Sequence, residues 1–277
     1  MISGKTTLIA HLGYPTESFK APLIYNPWFE YRGIDAVVVP MGVRADDYPK
    51  VLRSLFRLTN LRGALVTMPH KVTTVGLVDE FTPTVEIAGS CNAVLLRPDG
   101  TLLADMFDGA GFVRGLARKG FAVRGSHCLV VGAGGVGSAI AASLAAAGAG
   151  AIALADTHRA AAEALAGRLT KHYPALDVRL VTSDPAGYDL AVNGTPLGMK
   201  RGDPLPFDVS RLEPSTFVGE VVLTQEITPL LEAARARGCR YQVGTDMLFE
   251  MIPAYLEFFG LGTATPDELR AVARIAQ

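Results

Sequence analysis

The run His127-Cys128-Leu129-Val130-Val131 leads directly into Gly132-Ala133-Gly134-Gly135-Val136-Gly137 and then into Ser138-Ala139-Ile140-Ala141-Ala142-Ser143-Leu144. The short apolar run reads as a buried parallel strand, the Gly-x-Gly-x-x-Gly as a tight turn, and the Ala-rich segment as a helix. Gly132 lets the chain turn, Gly134 removes a side chain that would block a pyrophosphate, and Gly137 lets helix and strand pack closely. The amide groups at the helix start, those of Gly135 and Val136 among them, then face phosphate oxygens. Three spaced glycines alone are a weak signal, and a structural Gly-rich turn is the competing reading. Here the context decides: a second apolar run, 151–155, ends in Asp156, 24 positions after Gly132. A dinucleotide fold keeps the carboxylate that meets the adenosine ribose near that point.

At 277 residues the chain is long enough for two modest domains. Its 26 Lys+Arg against 27 Asp+Glu give a net charge of -1, which makes no electrostatic case for nucleic acid or an anionic membrane surface. No apolar run approaches the roughly 20 residues of a membrane span, and residues 1–7 lack the apolar core of a secretory signal. Cys91, Cys128 and Cys239 are scattered and odd in number, as in a reduced, cytoplasmic protein. Neither they nor His11, His127, His158 and His172 form a metal-ligand pattern, so no metal site is expected. The expected partner is a small-molecule substrate, and the expected assembly a monomer or homodimer.

Taken in order, residues 7–10 read as a strand, 22–31 as a helix with Pro22 in its first turn, 35–39 as a second strand, 46–58 as an amphipathic helix and 64–66 as a third strand. Thr67-Met68-Pro69-His70-Lys71 is a loop opening a helix that runs to about residue 81, and strand and turn signals follow through 92–104. This part of the chain has no phosphate loop of its own. Beyond Asp156 come a helix over 160–172, strands near 178–181, 188–193 and 217–220, a helix over 229–237, and a last strand over 240–243. The apolar helix 247–259 is expected to fold back onto the first part. The fold class is therefore α/β with two domains: an N-terminal α/β substrate domain over 1–103, completed by helices of 247–277, and a Rossmann-type doubly wound dinucleotide domain over 104–246.

Two ionisable residues, Lys71 and Asp108, stand at strand-to-helix junctions, where open α/β sheets carry their sites. A lysine paired with a carboxylate can exchange a proton with a hydroxyl that becomes a carbonyl. The plainer reading makes Lys71 a solvated helix-start residue and Asp108 a cap. His70, beside Lys71, reads as a helix-start polar residue.

Several segments, taken in order, resemble motifs of the shikimate dehydrogenase family: Gly13-Tyr14-Pro15 with Pro22-Leu23-Ile24-Tyr25-Asn26, Val66-Thr67-Met68-Pro69-His70-Lys71, Gly89-Ser90-Cys91-Asn92-Ala93-Val94, Asp108-Gly109-Ala110-Gly111, the glycine loop, Asn193-Gly194-Thr195-Pro196-Leu197-Gly198-Met199 and Thr228-Pro229-Leu230. The resemblance covers nearly the whole chain. It implies an NAD(P)-dependent enzyme that interconverts a ring hydroxyl and a ketone on shikimate, quinate or a related cyclic alcohol in a cleft between two domains. It also implies a catalytic pair at Lys71 and Asp108, ring-hydroxyl contacts at Thr67 and Asn92, and a nicotinamide end formed by Asn193, Thr195 and Gly244.

Departures from the family pattern fall on the substrate positions. Two serines that would hold a ring carboxylate are replaced by Phe19 and Ala21, a tyrosine by Leu223, a glutamine by Met251, and an Asn-Thr pair by Met106-Phe107. Ser18 or Lys20 is the candidate for a replacement anion contact, and Phe19, Phe107 and Met251 for an apolar wall facing a less polar ring alcohol. Where NADP-using members carry Asn-Arg-Thr, this chain has Ala155-Asp156-Thr157, and a carboxylate there implies NAD in preference to NADP. A paralogue that binds NAD and a ligand as a sensor, without turnover, is the alternative from another functional class.

Overall fold

Parallel strands need long crossovers, usually helices, and the alternation of short apolar runs with helical segments supplies them throughout this chain. The computed structural model describes residues 2–17 and 19–275 and divides into two units, Met1–Phe107 with Ile252–Gln277, and Asp108–Met251.

The first unit runs β1 (Thr7–Gly13), α1 (Pro22–Arg32), β2 (Ala36–Gly42), α2 (Tyr48–Leu55), β3 (Leu61–Val66), α3 (Lys71–Val75), β4 (Glu80–Phe81), α4 (Pro83–Ala88), β5 (Ala93–Leu96) and β6 (Leu102–Asp105). Its sheet has the order β2-β1-β3-β5-β6-β4. β1 lies parallel to β2 and β3, whereas β5 is antiparallel to both β3 and β6. Strand alternation sends Ala10 and Leu12 to one face, where they meet Tyr48, Leu52 and Phe56. Ile9, His11 and Gly13 fall on the other. Pro22 pre-sets the first turn of α1, and Gly33, at φ 64°, ends it.

One helix departs from the sequence expectation. Instead of running to about residue 81, α3 stops at Val75, and the short β4 and α4 follow. The β-branched run Val72-Thr73-Thr74-Val75 is a poor helix former, and Gly76 closes the turn through its N–H to Thr73 O.

The second unit runs α5 (Asp108–Arg118), β7 (His127–Val131), α6 (Gly135–Ala146), β8 (Ala151–Ala155), α7 (Arg159–His172), β9 (Asp177–Leu180), β10 (Leu190–Asn193), β11 (Phe217–Glu220), α8 (Pro229–Ala236), β12 (Tyr241–Gln242) and the start of α9 (Gly244–Phe258). The two units divide within α9, and α10 (Pro266–Val272) belongs to the first. Every strand pair of the second unit is parallel, in the order β9-β8-β7-β10-β11-β12. That is the strand order of a Rossmann-type doubly wound sheet. Leu129, Val131, Ala191 and Val218 pack against Leu230, Leu231 and Ala234. Among the described residues, no helix is long and apolar enough to cross a membrane.

Candidate active site

In the second unit the glycine turn is fixed by sterics. Gly132 sits at φ 102°, where L side chains are strained, and a Cβ on it would lie 2.8 Å from the Gly194 backbone. A Cβ on Gly137 would overlap the Gly132 carbonyl oxygen. Gly134, the N-cap of α6, differs: a Cβ there would meet nothing within 4 Å. The first and third glycines thus let backbones close on each other, while the second leaves open space at the start of a 12-residue helix. This is the arrangement a pyrophosphate requires, so the residues present fit a dinucleotide. Gly135 and Val136 form the first turn of α6.

The Asp156 carboxylate accepts from Ala133 N–H at 2.6 Å and from His158 N–H at 2.7 Å. It thereby ties the end of β8 to the glycine turn. Asn193, fully buried, donates from Nδ2 to Glu220 Oε1 and to Leu197 O, both at 2.9 Å, while its Oδ1 accepts from Thr195 N–H and O–H. Glu220 also accepts from Val221 N–H, Val222 N–H and the Thr228 hydroxyl. Burial pushes the Glu220 carboxyl up, against the pull of these donors. The network fixes the loop after β10, where Gly194 and Thr195 meet Gly132. In the sequence Glu220 reads only as a strand end. Its signal was a single acid closing the apolar run Phe217-Val218-Gly219.

Gly244 opens α9 and is buried so tightly that a Cβ would overlap Val222 O. Asp108 is 3% exposed and is the first residue of α5, and a Cβ on the next residue, Gly109, would overlap the Ala139 carbonyl of α6. Leu223 and Met251 are partly buried in this same unit, with Met251 against Gly111 of α5.

In the first unit, Thr67, Lys71 and Asn92 gather at the carboxyl end of β3. Val66 N–H donates to Asn92 O at 2.8 Å, Cys91 N–H donates to Lys71 O at 2.9 Å, and Thr67 N–H donates to Leu12 O at 2.9 Å. Asn92 is buried. Its Oδ1 accepts from Phe107 N–H at 3.0 Å, and its carbonyl accepts from the Tyr255 hydroxyl at 3.3 Å. Phe107 meets Tyr255 edge to face at 4.8 Å.

His70 is more than a helix-start polar residue. Its ring lies flat on Tyr48 at 3.8 Å, its Nε2 donates to Val43 O at 2.8 Å, and burial lowers its pKa. Beneath it, the Tyr48 hydroxyl meets Thr74 Oγ1 at 2.7 Å, and Thr74 donates to His70 O at 2.8 Å. Cys91 is buried beside this group. Its thiol is pushed up to about 12 by burial, although the Thr74 hydroxyl and the Lys71 charge pull the other way. Such a thiol stays protonated and unreactive.

Phe19 stacks on His11 at 4.0 Å. A Cβ on Gly13 would lie 2.5 Å from Thr67 Cγ2 and 2.8 Å from Phe19 Cζ, so these side chains converge on one point. Ala21 is the N-cap of α1, with no side chain able to accept a hydrogen bond. Ser18 lies outside the described residues.

A Rossmann-type parallel unit with an open glycine turn, joined in one chain to a mixed α/β unit, defines a class of dinucleotide-binding proteins. The comparisons with known proteins make the class particular. Residues 12–94 match the model of the shikimate dehydrogenase substrate binding domain, and residues 121–166 match that of the ThiF family. The chain is 35% identical to the shikimate dehydrogenase (NADP(+)) of Rhodospirillum rubrum, over 98% of each chain. It is 34% identical to the protein of the same name from Acidiphilium cryptum, over 99% of this chain and 98% of that one. The crystal structure of a Listeria monocytogenes shikimate 5-dehydrogenase, in complex with shikimate and NAD, superposes with a TM-score of 0.90 at 26% identity, over 98% of this chain and 97% of that one. The chain belongs to the shikimate dehydrogenase family and is an oxidoreductase of the shikimate/quinate dehydrogenase type.

These relatives correct the expectation of NAD in preference to NADP, since those at 32–35% identity are NADP(+) enzymes by name. The physical reason lies in how Asp156 is used. From the sequence alone its carboxylate is expected to face the ribose and repel a 2'-phosphate. In the structure each of its oxygens accepts from a backbone N–H of the loops it joins, so its charge is already engaged.

Proposed function

We propose that the chain reversibly oxidises a ring hydroxyl of shikimate, quinate or a related cyclic alcohol, with NADP as its dinucleotide. The observation that carries the reading is the gathering of Thr67, Lys71 and Asn92 at one end of one sheet. When bound, NADP supplies or accepts the hydride. Lys71 and Asp108 handle the hydroxyl proton: the Lys71 ammonium gives a proton to a carbonyl oxygen as it becomes a hydroxyl and takes it back in the reverse direction. Thr67 and Asn92 orient the ring hydroxyls, and Phe19, Ala21, Leu223 and Met251 line the substrate's less polar side. Residues 1–103 with 247–277 serve the substrate and 104–246 the dinucleotide.

On the dinucleotide side, Gly132, Gly134, Gly135, Val136 and Gly137 hold the pyrophosphate, and Asn193, Thr195 and Gly244 serve the nicotinamide end. His158 and Arg159, both exposed two and three residues after Asp156, would meet the 2'-phosphate. The names of the relatives support turnover over the sensor alternative.

The experiment is NADPH formation by the purified protein with shikimate and with quinate, beside NADH formation under the same conditions. Expected is turnover of at least one acid, with kcat/KM for NADP exceeding that for NAD by about tenfold or more, as one well-placed phosphate contact provides. Equal or better use of NAD would overturn the cofactor reading. Turnover of neither acid with either dinucleotide would overturn the substrate reading.

A further inference from the structure

His11 is the one histidine buried in the sheet at the proposed substrate end, and it is only 8% exposed. It stands on β1 next to Leu65 of β3 in register, two residues before Gly13, on the sheet face opposite the Tyr48 and Leu52 layer. Thr67 follows β3 at the same carboxyl edge, and Phe19 covers the imidazole as a stacked ring at 4.0 Å. The Nδ1 of His11 is buried without a hydrogen-bond partner. An unsatisfied polar atom of that kind carries a desolvation cost that proteins seldom retain without use.

Its electrostatics narrow the use. Burial, with the Lys71 charge adding to it, lowers the His11 pKa to about 4. The ring is therefore neutral near pH 7, with one nitrogen a donor and the other an acceptor. A neutral imidazole against an aromatic ring offers a hydrogen bond to an uncharged group and no charge to balance a carboxylate.

We propose that His11 is a specificity-determining residue whose Nδ1 hydrogen-bonds an uncharged hydroxyl or ester oxygen of the substrate ring, with Phe19 as the apolar surface that excludes a carboxylate from that place. This inference rests on the proposed site around Lys71. It adds that the ring group met by His11 and Phe19 is uncharged.

The test is calorimetric titration of the whole protein with shikimate and with its methyl ester, using wild type, His11→Val, His11→Asn, Phe19→Ser and Lys71→Ala, each first checked for folding by its melting curve. The wild type is expected to bind the ester about fivefold or more tightly than the acid. His11→Val should weaken ester binding about tenfold, the worth of one hydrogen bond to a buried partner. His11→Asn, whose amide reproduces the Nδ1 position, should recover most of that loss, and Phe19→Ser should move the preference toward the acid. Tighter binding of the acid by wild type, unchanged ester binding in His11→Val, or no binding of either probe would overturn the proposal. If His11→Val does not fold, the Phe19→Ser preference decides. Lys71→Ala reports separately, through turnover alone: if it retains turnover the proton-handling reading fails while the His11 result stands.

Discussion

The two units define their working ends by different physical means. In the Rossmann-type unit, the turn around Gly132 is dictated by backbone: one glycine at φ 102°, another whose Cβ would overlap a carbonyl, and a carboxylate that ties the turn to β8. In the other unit, the carboxyl end of the sheet is defined by side chains that reach it from separate elements: Phe19 before α1, His11 on β1, Lys71 on α3 and Asn92 before β5. A backbone device tolerates almost no change and serves any dinucleotide. A side-chain device can be rebuilt residue by residue while the fold persists.

That contrast breaks most visibly at Gly137. Gly137→Ala should cost about 3 kcal/mol of stability, as overpacking against an unyielding backbone does, and dinucleotide affinity should fall about 100-fold. Denaturant unfolding and NADP titration check both, and a variant of wild-type stability would show that the turn is less constrained than its geometry implies.

A pH effect of similar size is expected from His11, buried on β1. His11 has a folded pKa of about 4 against 6.5 when unfolded, so as pH falls between these values the unfolded chain takes up a proton that the native state refuses. Stability from this group is complete above about pH 6.5 and is lost toward pH 4, by about 3 kcal/mol in all. His11→Asn removes the titration. The wild-type stability advantage over that variant should shrink by this amount across the range, and a constant difference would contradict the assignment.

Glu220→Gln should cost about 2 kcal/mol, because a carboxylate accepting four donors becomes an amide that turns its own N–H groups toward some of them. Its effect on activity should appear in KM for NADP more than in KM for substrate. The smallest effect falls on the exposed Arg159. Arg159→Ala should raise KM for NADP about fivefold, with NAD kinetics unchanged. An equal change with both dinucleotides would assign the loss to the α7 helix start instead.

The same contrast explains what the sequence disclosed. The glycine turn is legible because its three glycines lie within six residues, next to an apolar run and a helix-forming segment. The parallel order of β7 to β12 was legible because buried strands read as apolar runs. The short α3 departs from the expected long helix because the apolar content of 71–81 hides a β-branched run that disfavours one. His11 and Phe19 are eight positions apart, and no periodicity reveals that their rings stack. The engagement of Asp156 is hidden for a related reason: the loop amides that donate to its oxygens come together only when the turn is folded. The buried connections of Glu220 were hidden in the same way.

The most direct measurement for the account as a whole is the single-turnover rate of NADP reduction by shikimate or quinate, whichever wild type uses, in wild type and in Lys71→Ala with NADP and substrate binding measured in parallel. Proton transfer by Lys71 predicts a rate about 1,000-fold lower in the variant, within the range that a proton-transferring side chain contributes, with both ligands still bound at near wild-type affinity. A variant that binds both ligands and reduces NADP at the wild-type rate would contradict it.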